Sequence, residues 1–539
     1  MSSGPVSRWI TRIFLVAAVC GCSNATHDVL PATDPKDTPE SRVGERLFRE
    51  PRFSQLFYSE SQGNVNAEVS GDPVLSALPK QGERLHSPFS GQTISCVACH
   101  MVDDAAGVPG GGNRAYADFS PRTLIPVRDD GSVVTTRNTP GLVGAAEGRE
   151  GPELFHFDGE FATLEDLVIG GWTGRNFGWL PSEGGLARAH VAEIIRGDDG
   201  ENPIARKYDG KAYSVLLKGE DPTIPAEFRI GESYRVDVAN ADDEIVARKA
   251  AALVAVYMRK LQFSKDPDGL FNGSPYDQFL IQNGLPRAPD PGETGARYAD
   301  RLAWGVARLS KPRWVSGEFE LHRHDFTFGP LELQGLRTFL ARRTDPTPES
   351  PGFRSVGNCV ACHTPPNFTD FKFHNTGEAQ DEYDSIHGAG SFLGLAIPTA
   401  RGARDLSKFR APPAANHPGS VDLGVWNVFF NPDFPGPQAK LQAILCAGLA
   451  SCDPSEALPR AVGAFKTPGL RDLGHSDPYL HTGRKATVED VVRFYVQSSA
   501  RARTGALRNP DPELARVQIG AADVAGLAAF LRALDEDYE

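Results

Sequence analysis

Cys96-Val97-Ala98-Cys99-His100 recurs letter for letter as Cys359-Val360-Ala361-Cys362-His363. Two thiols three positions apart, with histidine next, form the attachment pattern of c-type haem. The spacing has a mechanical reason. Two sulfurs meet the two vinyl groups of one porphyrin, and the adjoining imidazole falls beneath the iron as proximal ligand. Zinc sites also use two C-x-x-C pairs, and dithiol redox sites use one. A redox dithiol does not need the histidine, and zinc knuckles rarely repeat the intervening residues. The reading is two covalent haems on Cys96, Cys99, Cys359 and Cys362, with His100 and His363 on the irons.

The repetition extends beyond the pentapeptide. Gly44-Glu45-Arg46-Leu47-Phe48 precedes the first motif and Gly335-Leu336-Arg337-Thr338-Phe339 the second. Thr139-Pro140-Gly141-Leu142 follows the first and Thr467-Pro468-Gly469-Leu470 the second. Ala162-Thr163-Leu164-Glu165-Asp166-Leu167-Val168 matches Ala486-Thr487-Val488-Glu489-Asp490-Val491-Val492. Helical runs at 253–261 and 527–534 close the two halves. Landmarks in one order predict a duplicated unit. The expected fold is mainly α, two tandem cytochrome c-like haem domains (41–265 and 266–539) with long irregular insertions.

Thr163 and Thr487 each precede acidic residues that suit a helix start. The stretch 173–248 is charged and rich in Gly and Pro, with a possible strand at Glu232-Ser233-Tyr234-Arg235-Val236. A second excursion spans 378–463, and 262–300 is expected to connect the halves. Excursions of this length suit lids or partner surfaces.

The 539 residues carry a formal charge of −13, which argues against a nucleic-acid partner and suits a small basic electron-donor protein. Arg8 and Arg12 precede the apolar run 13–19, too short to span a bilayer as a mature helix. Val19-Cys20-Gly21-Cys22 resembles a bacterial lipobox, with Cys22 acylated; the alternative is an ordinary secretory peptide. The reading is a lipoprotein signal peptide over 1–22 and a flexible tether over 23–40. The protein is then exported and anchored to a membrane by lipid on the periplasmic side, at the outer membrane. Of the eight cysteines, Cys446 and Cys452 remain after signal and haem are assigned, and an oxidising compartment predicts their disulfide.

Haem reactivity depends on the ligand opposite the proximal histidine. The only methionines are Met1, Met101 and Met258, none in the second half. Methionine ligation of the second haem is thereby unlikely on composition alone.

The order G-x-x-L-F, C-x-x-C-H, R-N-T-P, D-G, L-E-D, then F-x-T-P-x-L-R and P-Y-x-H-x-G resembles the bacterial dihaem cytochrome c peroxidase/MauG superfamily. The resemblance covers most of 41–539 outside the two insertions. It implies a distal ligand seventeen residues after Pro478, which is Tyr495 and marks a MauG-like, tyrosine-ligated variant. It also implies calcium between the haems, held by the Asn138 side chain and the carbonyls of Ser476 and Pro478, an oxygen-only set that suits this ion. Where relatives carry an interhaem tryptophan, a glutamine and a catalytic glutamate, this chain has Phe157, Leu167 and Phe177. Gly171 stands opposite Tyr495 in the repeat, so the first haem has an open distal face. His156, or Trp172, is the nearby candidate for the missing acid.

The implied function is an exported haem-dependent oxidoreductase, peroxidase- or MauG-like. Its N-terminal haem takes peroxide or O2, and its His/Tyr C-terminal haem transfers electrons. The alternatives are a dioxygenase resembling the dihaem rubber oxygenases and a non-catalytic, lipid-anchored electron-transfer protein. A pyridine haemochrome assay should find two covalent haems per chain; one haem, or bound zinc, contradicts the reading of the two motifs.

Overall fold

A computed structural model describes residues 37–68, 79–80, 83–84, 95–100, 122–123, 125–147, 152–208, 210–319, 325–342, 355–398 and 406–536. The expected signal peptide, Cys20, Cys22, Met101 and all but the end of the expected tether lie outside them. Among the described residues no helix is long and apolar enough to cross a membrane.

In the first half the main helices are α1 (Pro39–Phe48), α2 (Leu164–Trp172), α3 (Gly184–Gly197) and α4 (Asp243–Lys260). Helix α1 begins inside the segment expected as tether, because the Thr38 side chain accepts from Ser41 N and Pro39 opens the first turn. The predicted starts at Thr163 and Thr487 are caps: their hydroxyls accept from Asp166 N and Asp490 N, both at 3.1 Å. Asp242 does the same for α4 at 2.8 Å, with acidic residues in its first turn and Arg259 and Lys260 in its last.

The second half adds α5 (Pro275–Gln282), α6 (Gly295–Ala307), α7 (Pro330–Leu340), α8 (Glu378–His387), α9 (Gln438–Leu445), α10 (Pro454–Ala461), α11 (Val488–Arg503) and α12 (Val524–Arg532). Sheet is minimal in the described residues. Val315–Glu318 pairs antiparallel with Asp325–Phe328, and Phe373–His374 with Phe465–Lys466.

The repeated glycine has a physical task. Helix α1 crosses α4, and α7 crosses α12, with the backbones in contact. A Cβ on Gly44 would overlap the Leu253 carbonyl, and one on Gly335 the Gly526 carbonyl. Each crossing seeds an apolar core. One gathers Val43, Leu47, Leu253 and Val254; the other gathers Leu336, Phe339, Leu527 and Phe530.

Three stretches differ from the sequence reading. Residues 262–300 contain α5 and α6, whose Tyr276, Phe279, Tyr298 and Leu302 enter the second core. Pro275 is the first helical residue after the Ser274–Asp277 capping box. Glu232–Tyr234 is a 3-10 turn with no strand beside it to complete a ladder. The excursion 378–463 builds a third core around Leu154, Tyr383, Trp426, Phe429, Leu441 and Leu458, and there Cys446 and Cys452 form the expected disulfide.

The first excursion is tied down by charge. Asp198 accepts from Arg46 at 2.8 Å and Arg52 at 2.9 Å, all three side chains 5% exposed or less, and Arg46 stacks on Tyr213.

Gly44→Ala and Gly335→Ala should each destabilise the fold by about 1–3 kcal/mol in denaturant titrations, the usual range for forced overpacking. Gly171→Ala is the contrast. Its added Cβ meets nothing within 4 Å, so helix propensity should make it neutral or stabilising. Equal losses at all three positions would contradict the crossing argument.

Candidate functional site

The two pentapeptides adopt the same turn. Cys96–Ala98 and Cys359–Ala361 are single 3-10 turns, and His100 N and His363 N donate to the carbonyls of Cys96 and Cys359, each at 2.8 Å. This folds both sulfurs and the imidazole onto one side of the chain. Both motifs open into one cavity of about 750 Å³, and so do Tyr495, Asn138, Ser476, Pro478 and His156. The structure thus gathers every sequence-predicted site residue that it describes.

Around the second motif, His363 Nδ1 lies 3.0 Å from the Phe368 carbonyl. Donation there fixes the tautomer and leaves Nε2 for a metal. Burial lowers the His363 pKa, which keeps the ring neutral as a ligand requires. Tyr495, on α11, is half-buried against the cavity, and its hydroxyl makes no hydrogen bond among the described residues. Burial, then the Cys362 and Cys359 thiols, push this phenol above its ordinary range. The surrounding protein alone therefore holds Tyr495 neutral.

Around the first motif the equivalent helix is α2, which presents Gly171 to the cavity with open space beyond its Cα. Leu167 and Phe177 line the same wall. Trp172 is 1% exposed, packs on Phe53 at 4.9 Å between centroids, and lies next to the Cys96 thiol. It is a wall residue. His156 is different: it holds a positive φ of 65°, and its Nδ1 lies 2.6 Å from Glu160 Oε1. Burial would raise the Glu160 carboxyl, but Arg410 and His156 pull it well below the usual carboxylate range.

A buried charge network borders the same cavity through Arg137, Glu160 and Arg410. Arg137 contacts Asp158 at 2.9 Å and Asp422 at 2.5 Å, while Arg410 reaches Asp158 at 3.0 Å and Glu160 at 2.5 Å. His156, Asp158 and Glu160 stand close enough to suggest a metal cluster. Two guanidiniums already neutralise its carboxylates, so it does not suit a cation. Asn138 fits one better. Its backbone N donates to the His481 carbonyl at 2.8 Å, its amide meets the Pro478 carbonyl, and its Oδ1 is buried without a partner.

Sequence reasoning missed the pairs formed across long separations. His481, present in the P-Y-x-H-x-G motif, is 3% exposed, meets Glu378 of the second excursion at 2.5 Å, and stacks on Phe465 at 3.5 Å. Phe157, at the tryptophan position, lies 6.5 Å from the same imidazole.

Fold and site together define a tandem, mostly helical protein of two cytochrome c-like units facing one cavity. No family model matches the chain. It is 26% identical over 182 residues to the cytochrome-c peroxidase IdrP2 of Denitromonas iodatirespirans, covering 34% of this chain and 37% of that protein. Against IdrP2 of Pseudomonas sp. (strain SCT) it is 26% identical over 185 residues, 34% of this chain and 38% of that one. The chain thus spans little more than a third of these relatives' length. In structure it is similar to a MauG-like protein associated with microbial copper homeostasis (TM-score 0.44, 17% identity, 94% of this chain and 92% of that one). It is likewise similar to the diheme peroxidase BthA from Burkholderia thailandensis E264 (TM-score 0.45, 19% identity, 93% and 86%). In sequence the chain is thus similar, over 34% of its length, to cytochrome-c peroxidases.

Proposed function

We propose that this chain is an exported dihaem c-type oxidoreductase. Its first site meets peroxide or dioxygen, and its second passes electrons from a small donor protein. The observation that carries this reading is the asymmetry between equivalent helix positions: Gly171 leaves space before the first motif, whereas Tyr495 places a phenol before the second. Bound haem supplies redox-active iron at each site; the rest follows from the chain's own residues.

Cys96, Cys99 and His100 hold the first group, and Cys359, Cys362 and His363 the second. Tyr495, which lines the same cavity as His363, would offer the second group a phenol oxygen. Glu160, ionised by Arg410, orients His156 through Nδ1 and makes it the group best placed to move a proton at the first site. Leu167 and Phe177, on the same wall, offer no group that could move a proton. Calcium on the Asn138 side chain and the carbonyls of Ser476 and Pro478 would satisfy the orphaned Oδ1. Lipid at Cys22 would hold the body to the periplasmic face of a membrane.

The holoprotein should oxidise a reduced small donor with peroxide, but slowly: loss of one well-placed proton donor costs on the order of a hundredfold or more. Tyr495→Phe should remove a tyrosinate-to-iron signature from the resting spectrum while both haems stay attached. Emission spectroscopy should find one calcium per chain, lost in Asn138→Ala. An unchanged spectrum in Tyr495→Phe removes the assigned ligand. Absence of peroxide turnover, with oxygen consumed alongside an organic substrate, would make the chain an oxygenase.

A further inference from the structure

We propose that His374 is a fixed imidazolium that sets the electron affinity of the second site, a positioning residue acting through its charge. The inference rests on the reading that Cys359, Cys362 and His363 carry a haem.

Pairing of Phe373–His374 with Phe465–Lys466 holds the backbone of His374 in place. Its Nε2 lies 2.9 Å from Asp370 Oδ2 and its Nδ1 lies 2.6 Å from Asp511 Oδ2. Both carboxylates are held from elsewhere as well: Asp370 Oδ1 accepts from Lys372 N at 3.0 Å, and Asp511 Oδ1 accepts from Glu513 N at 2.8 Å. The imidazole side chain is 15% exposed, and the two carboxylates 13% and 19%.

Two acceptors at hydrogen-bond distance require two N–H donors, and a neutral imidazole has only one. The clamp is therefore satisfied only by the protonated ring. Burial works against that charge, while the bonds to Asp370 and then Asp511 raise the His374 pKa above its ordinary value. Both carboxyls, raised by burial, are pulled below the ordinary carboxylate range mainly by His374.

The ring abuts the Cys362 sulfur of the second attachment motif, and Asp370 and His374 both act on His363. The charged and titratable groups facing it are thus Asp370, Asp511 and His363; Cys362, a thioether once haem is attached, adds no charge. As a trio, the imidazolium and its two carboxylates present one net negative charge that does not change through the neutral range.

The test is a spectroelectrochemical titration of the full-length holoprotein, after a haemochrome assay has shown two covalent haems. In Asp511→Asn an amide replaces one carboxylate, and His374, left with Asp370 as its one ionised partner, loses its proton at a lower pH than in the wild type, read in the same titration as a break in the potential. Below that pH the variant's trio is neutral. The second haem should then be easier to reduce than in the wild type by on the order of tenfold, about 59 mV for one electron. Above it, the imidazole loses its proton, the trio again carries one negative charge, and the difference should vanish. His374→Gln removes the cation and should shift reduction the other way, by a similar factor, in mildly alkaline buffer.

A difference for Asp511→Asn that ignores pH, or no difference in either variant with both haems present, assigns the clamp to packing and overturns the inference. If Asp511→Asn does not fold, the sign of the His374→Gln shift decides. A missing second haem in the wild type instead overturns the functional reading on which the inference rests.

Discussion

The placement of the two motifs around one cavity depends on Arg137 and Asn138. Arg137 joins Asp158 of the first half to Asp422 of the second excursion, with the arginine side chain 9% exposed and both carboxylates 1% or less. Asn138 reaches the His481 and Pro478 carbonyls more than three hundred residues away. Taking such charges out of water is expensive, and removing one partner from a buried pair typically costs about 3–5 kcal/mol. The tie is therefore directional: it tolerates one arrangement of the halves and penalises others. Lys466 N bonding the Phe157 carbonyl at 2.8 Å and Lys440 Nζ bonding Ala162 O at 2.7 Å reinforce the same seam.

What was legible in the sequence is what local chemistry decides. The Thr163 and Thr487 caps depend on a hydroxyl and the next three residues, so the pattern alone located both helix starts. Gly44 and Gly335 were visible as a repeat, although only the helix crossings explain why glycine is required there. The Cys446–Cys452 pairing followed from counting cysteines. The stretch 262–300 misled because proline at a helix start, as at Pro275, and proline in a linker look alike until a capping partner is seen.

The third core was hidden for a different reason. Trp426, Phe429, Leu441 and Leu458 are spread among prolines and glycines, and no single helix period collects them. The central ion network was equally invisible, since its partners lie up to 285 residues apart. Glu378 is the sharpest instance. It reaches His481 from an excursion the repeat does not predict, so the second half completes its site with residues that have no counterpart in the first.

Two copies of one unit differ at equivalent helix positions, Gly171 in one and Tyr495 in the other. The most direct measurement is a titration of the resting, two-haem protein with cyanide, read by optical and electron paramagnetic resonance spectra. The account predicts tight uptake of one equivalent per chain, at the haem carried by His100, with the signal of the His363 site unchanged. Uptake of two equivalents, or refusal of cyanide by both haems, would contradict it.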